Sequence, residues 1–119
     1  LTQEYWVGIL FLHDKKEGYA MFVRQTIIRT ATDKIDEAAK LFEASVIPAF
    51  RSQNGYGGAY FISDRKSGKS ICVSLWDSEE DALANEQSHV YQEQLIKFMK
   101  LFTTDPFREG YELLVQDVK

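Results

Sequence analysis

Between residues 22 and 116 the spacing of the apolar residues switches repeatedly between a period of two and a period near 3.6. The order of those switches limits the fold more than anything else in the chain. Residues 22–30 (FVRQTIIRT) are rich in β-branched side chains and read as a strand. Thr32 or Asp33 can cap the helix that follows. In it Ile35, Ala38, Ala39, Phe42, Val46, Ala49 and Phe50 recur at steps of three and four. Pro48 lies near its end and should kink or close it. Asn54-Gly55-Tyr56-Gly57-Gly58 holds three of the seven glycines and breaks the chain before two short strands, 59–64 and 70–76. The polar stretch 65–69 makes those two strands a hairpin.

The acidic run 77–81 opens a second helix, with capping oxygens first and carboxylates in the first turn. Its apolar stripe is Ala84, Ser88, Tyr91, Leu95, Phe98 and Phe102. Residues 103–106 end it, and residues 111–116 read as the last strand. The order is β-α-β-β-α-β, a ferredoxin-like α+β arrangement: an antiparallel sheet with two helices on one face. The other sheet face is left open and apolar, which suggests a homodimer.

Composition narrows the classes of partner. The formal net charge is −4, which argues against nucleic acid. The lone Cys72 excludes a disulfide framework, and with His13 and His89 far apart it leaves no metal-ligand spacing, so neither metal nor cofactor is expected. The longest apolar run, residues 5–12, is shorter than the roughly 18 residues of a membrane span and lacks the flanks of a signal peptide. These features read as a soluble, cytoplasmic protein without a membrane partner. Leu1 is not an initiator, and Met21 stands directly before the first clear strand. Residues 1–20 therefore read as an N-terminal extension, either an extra strand over 5–12 or upstream sequence, ahead of a single domain over 21–119.

The string Ser74-Leu75-Trp76-Asp77-Ser78-Glu79-Glu80-Asp81-Ala82, followed by Ser88-His89-Val90-Tyr91-Gln92-Glu93, resembles the dimeric α/β-barrel superfamily. More narrowly it resembles antibiotic biosynthesis monooxygenase-type domains, over residues 21–116. The resemblance implies a homodimer whose sheets pack into a barrel, with an apolar pocket between each sheet and its helices. It implies a choice among cofactor-independent quinol or polyketide monooxygenases, haem-degrading enzymes and isomerases. The haem-degrading branch carries a second Trp nine residues after the first and a haem-ligating His eighteen after it. Those places hold Asn85 and Gln94 here, and an amide does not replace an axial imidazole.

Four residues are the candidates for a site. His89 carries the one side chain in this region whose unperturbed titration lies near neutrality, so it suits a base. In an unbroken helix it would lie about 140° from the stripe and face solvent; a break near 86–90 would turn it inward. Tyr91 lies on the stripe as a buried anchor or a catalytic donor. Asn85 is a polar candidate or a surface residue. Trp76, at a strand-to-helix junction, is a packing residue or a stacking platform in a pocket. Cys72 reads as a small core residue. Two functions follow. One is a cofactor-independent monooxygenase of a small aromatic or quinol. The other is a non-catalytic dimer that binds a small apolar ligand or serves a stress or regulatory role.

Overall fold

The computed structural model describes residues 21–119. The strand expected over residues 5–12 lies outside the described residues, as does the whole extension 1–20. Four strands, β1 (Phe22–Arg29), β2 (Tyr56–Ser63), β3 (Lys69–Trp76) and β4 (Phe107–Glu112), form one antiparallel sheet in the order β2-β3-β1-β4. This is the α+β, ferredoxin-like arrangement that the pattern of periods requires. The register sets Phe22 opposite Trp76, Arg24 opposite Ser74 and Thr26 opposite Cys72. On the other side of β1, Thr26 faces Arg108 and Arg24 faces Gly110. Side chains of this parity point to the helices, because paired residues share a sheet face.

The first helical region is one rod of three pieces. α1 (Ile35–Leu41) runs into a π-helical segment, Phe42–Val46, and then α2 (Ile47–Arg51). Pro48 sits inside the rod and does not end it. A proline has no N–H to donate to the carbonyl four residues back. The wider turn just before it, closed by Ile47 N–H donating to the Phe42 carbonyl, lets the chain continue.

The second region is two helices, α3 (Glu79–Glu86) and α4 (His89–Phe98). Each begins on a serine cap. Ser78 Oγ accepts from Asp81 N–H at 3.1 Å, and Ser88 Oγ accepts from Tyr91 N–H, also at 3.1 Å. Ser88 Oγ also donates to the Asn85 carbonyl at 2.7 Å, so one hydroxyl ends α3 and starts α4. The expected single stripe is therefore corrected. α3 buries Ala82 and Asn85 while Ala84 is exposed, and α4 buries Gln94 and Phe98. The restart at Ser88 resets the helical phase.

Two strand boundaries also move. β2 begins at Tyr56, inside the glycine cluster, through a bulge between Tyr56 and Gly58. Gly58 holds φ +152°, and a Cβ on Gly57 would lie 2.4 Å from Met21 Cε. The last strand is Phe107–Glu112, earlier than the apolar run that suggested it. Leu114 and Val115 lie past it and are 79% and 85% exposed. The charges at Arg108, Glu109 and Glu112 hid this strand in the sequence.

The core is built where the rod meets the sheet. Trp76 is fully buried, its indole N–H donating to Ser74 Oγ at 2.8 Å. Phe50 meets Trp76 edge-on with centroids 5.6 Å apart, and Tyr56 does so at 5.7 Å. Trp76→Ala should cost about 3–5 kcal/mol, read as a lower urea midpoint with unchanged slope.

Candidate ligand site beneath the broken helix

A cavity lies between the helix-facing side of the sheet and α4. β1 supplies Thr26 and Ile28, β2 supplies Phe61 and β3 supplies Cys72. The rod supplies Phe42, Val46 and Phe50, and α4 with its exit supplies Tyr91, Gln94, Leu95, Phe98 and Phe102. Its volume is about 40 Å³. That exceeds the roughly 10–15 Å³ a water needs, and falls well short of the about 150 Å³ that accepts benzene. Leu95 and Phe102 also line an adjoining groove of about 520 Å³ that reaches Met99 and Pro106. Both spaces therefore share these two side chains in their lining.

The lining is aromatic and aliphatic with few polar atoms. Gln94 is 8% exposed, and its Oε1 has no hydrogen-bond partner. A buried amide left unpaired costs about 1–3 kcal/mol. Amide oxygen and NH2 exchange by a half-turn, so the side chain can present an acceptor or a donor. The Tyr91 hydroxyl accepts from Arg108 Nε at 3.4 Å, and the guanidinium lies 5.8 Å from the ring centroid. Burial pushes the Tyr91 phenol up, opposed by the Arg108 cation. Beside this pair Arg24 Nη2 donates to Glu86 Oε1 at 3.1 Å, and Arg24 Nε also donates to Glu86. The hydrogen bond to Glu86 raises the Arg24 guanidinium further. Gly110 makes room for it: a Cβ there would lie 2.4 Å from Phe22 Cζ and 3.0 Å from Arg24 Nη1.

Of the four residues singled out from the sequence, the structure puts Tyr91 on the cavity. The helix does break, at Gln87 and Ser88, yet His89 remains exposed as the first residue of α4. Asn85 is buried at 3% exposure with its Oδ1 unpartnered, and is not among the residues that line the cavity. Trp76 is likewise behind the cavity, in the core. Sequence reasoning missed Gln94, Thr26 and Arg108. Gln94 had a legible signal: it stands three residues after Tyr91 and four before Phe98, a polar residue within an apolar stripe. Arg108 had none, because its strand was not recognised. Among the described residues, no cluster of His, Cys, Asp or Glu could hold a metal, and no helix is long and apolar enough to cross a membrane.

Comparison with known proteins places this geometry. A protein from Nitrosomonas europaea, named provisionally as an antibiotic biosynthesis monooxygenase, superimposes with a TM-score of 0.68 at 13% identity, covering 81% of this chain and 92% of that one. One from Caulobacter crescentus, with the same provisional name, gives 0.68 at 11% identity, covering 87% and 99%. The chain has the fold of the antibiotic biosynthesis monooxygenase-like proteins. Rv0793 from Mycobacterium tuberculosis shares the fold, with a TM-score of 0.65 at 13% identity, covering 83% of this chain and all of that one. No family model matches the chain. In sequence it is 31% identical over 72 residues, 60% of its length, to the uncharacterized proteins MT2634 and Rv2557 of Mycobacterium tuberculosis. The chain spans about a third of the length of those relatives, 32% of each.

Burial also pushes the Cys72 thiol up, to about 12. In the unfolded chain it ionises near 8.5. The folded value is the higher one, so this stabilisation is complete below about pH 8.5 and is lost as pH rises toward 12, by about 1.4 kcal/mol per pH unit. Urea titrations between pH 8 and 10.5 should show a shallower alkaline decline for Cys72→Ala than for the wild type.

Proposed function

We propose that this chain is a homodimeric small-molecule-binding protein whose cavity takes a compact aromatic alcohol, a phenol or quinol. The observation that carries this reading is the buried Gln94 Oε1, unpaired among the described residues, in a largely apolar cavity. A hydroxyl both donates and accepts, so it satisfies that amide in either orientation. A ring fits the apolar walls beside Phe42, Phe61 and Phe98 once Leu95 and Phe102 yield toward the groove. The dimer rests on the sheet's other face. There Val23, Ile27, Ile71 and Val73 form a stripe flanked by Tyr60, Ile62, Phe107 and Tyr111, each of the last four at least half exposed. A two-fold partner of the same kind covers such a surface. Residues 21–119 act as one folding unit in this reading, and the unpaired Cys72 suits a cytoplasmic setting.

A second reading, cofactor-independent monooxygenation, is supported by the names of the proteins that share the fold and by the Tyr91–Arg108 pair. A phenol with a free para carbon needs O2 alone. One oxygen atom enters that carbon to give the quinone, and the other leaves as water with two substrate hydrogens. The phenolate must be stabilised on the way, and a hydroxyl polarised by a guanidinium is suited to that. His89 and Asn85 stand off the cavity, so Tyr91 is the group at the ring in this reading.

Calorimetric titration with p-cresol tests the binding reading: saturable 1:1 binding per subunit supports it, and no heat refutes it. Gln94→Met should raise stability by about 1 kcal/mol, read from urea unfolding, while weakening p-cresol by about tenfold. Oxygen uptake with phenols whose para carbon is free tests the second reading. Turnover above the spontaneous rate that is lost in Tyr91→Phe supports it, and its absence leaves binding alone. For the dimer, Val73→Lys should shift sedimentation from two subunits to one.

A further inference from the structure

We propose that Arg108 makes the cavity selective for an anionic ligand: an aromatic alcohol that also carries a carboxylate. This rests on the ligand-binding reading above and names the class of ligand. Arg108 stands opposite Thr26 on the helix-facing side of the sheet, and Thr26 lines the cavity. Its guanidinium lies against the ring of Tyr91, which lines the cavity too. Arg108 is therefore at the cavity's rim, beside Thr26 and Tyr91.

Its bonding is incomplete. Nε donates to the Tyr91 hydroxyl, while Nη1 and Nη2 make no hydrogen bond or ion pair among the described residues. The nearby carboxylate does not answer it, since Glu86 is engaged by Arg24 through two hydrogen bonds. On the neighbouring strand positions Glu109 points to the opposite face, where it accepts from the Tyr111 hydroxyl at 2.6 Å. Among the described residues, the rim thus carries a positive charge that no carboxylate answers. A guanidinium with two free parallel N–H groups is the shape that binds a carboxylate in two places. Holding the cation on an aromatic face keeps it oriented without neutralising it. The ligand so defined has three matched parts: a carboxylate at Arg108, a ring among the phenylalanines, and a hydroxyl at Gln94.

The test pairs two probes that share a phenol and differ in charge, 4-hydroxyphenylacetate and p-cresol, titrated calorimetrically into the full chain. The wild type should bind 4-hydroxyphenylacetate about tenfold more tightly than p-cresol. In Arg108→Gln that ratio should fall to about one, and Arg108→Lys, which keeps the charge and loses the fork, should keep only part of it. Thermal unfolding of both variants shows that they remain folded. Equal affinity of the wild type for the two probes overturns the inference, as does a ratio that survives in Arg108→Gln. If p-cresol itself does not bind, the ligand reading of the cavity fails first and this inference falls with it.

Discussion

Phe50 is the contact on which the arrangement of layers depends. It is 2% exposed and meets four other rings from three directions. Phe42 lies at 6.2 Å from the same rod, Trp76 and Tyr56 at 5.6 Å and 5.8 Å from the sheet, and Tyr91 stacks at 6.4 Å from α4. Aromatic pairs of this kind add about 0.5–1.5 kcal/mol beyond the area they bury. More to the point, one ring fixes the distance between rod, sheet and second helical region together. The cavity is the space left beside Phe50 where the rings stop interlocking.

The fold was legible in the sequence because burial imposes period on it. Trp76 and Cys72 alternate with Leu75 and Val73, and the rod repeats at three and four. What was not legible came from single atoms. Ser88 was read as part of an apolar stripe, whereas its hydroxyl ends one helix and begins another. Pro48 was read as a kink or a close to the helix, whereas a change of hydrogen-bond spacing upstream absorbs it and the rod continues. The edge strand was missed because its residues alternate in charge and size more than in hydrophobicity. The site inherited these errors. His89 depended on the direction of a helix whose start was misplaced, and Arg108 depended on a strand that had been drawn later in the chain.

The polar groups around the cavity fall into two kinds. Arg24 and Glu86 satisfy each other, with Gly110 leaving the space they need. Such a pair fixes geometry more than it adds stability. Among the described residues Gln94 and Arg108 are incompletely satisfied, one with an amide oxygen lacking a partner and the other a cation without an anion. Places where a chain departs from local consistency are where binding is to be sought. The sequence-derived candidates were chosen for chemical reactivity. The structure instead directs attention to unmet valence.

The π-helical segment carries a consequence for how this chain can vary. Five residues, Phe42–Val46, occupy a turn that an α-helix would close with fewer. Removing one of them would restore an unbroken α-helical ladder with the later residues still on their present faces, because the wide turn is what holds the extra residue. Pro48 would then stand within a regular α-helix, against the carbonyl it now escapes, at a cost of about 3 kcal/mol. Along this stretch the number of residues is therefore constrained through Pro48, and at Phe42 and Val46 their identity is constrained by burial in the core as well.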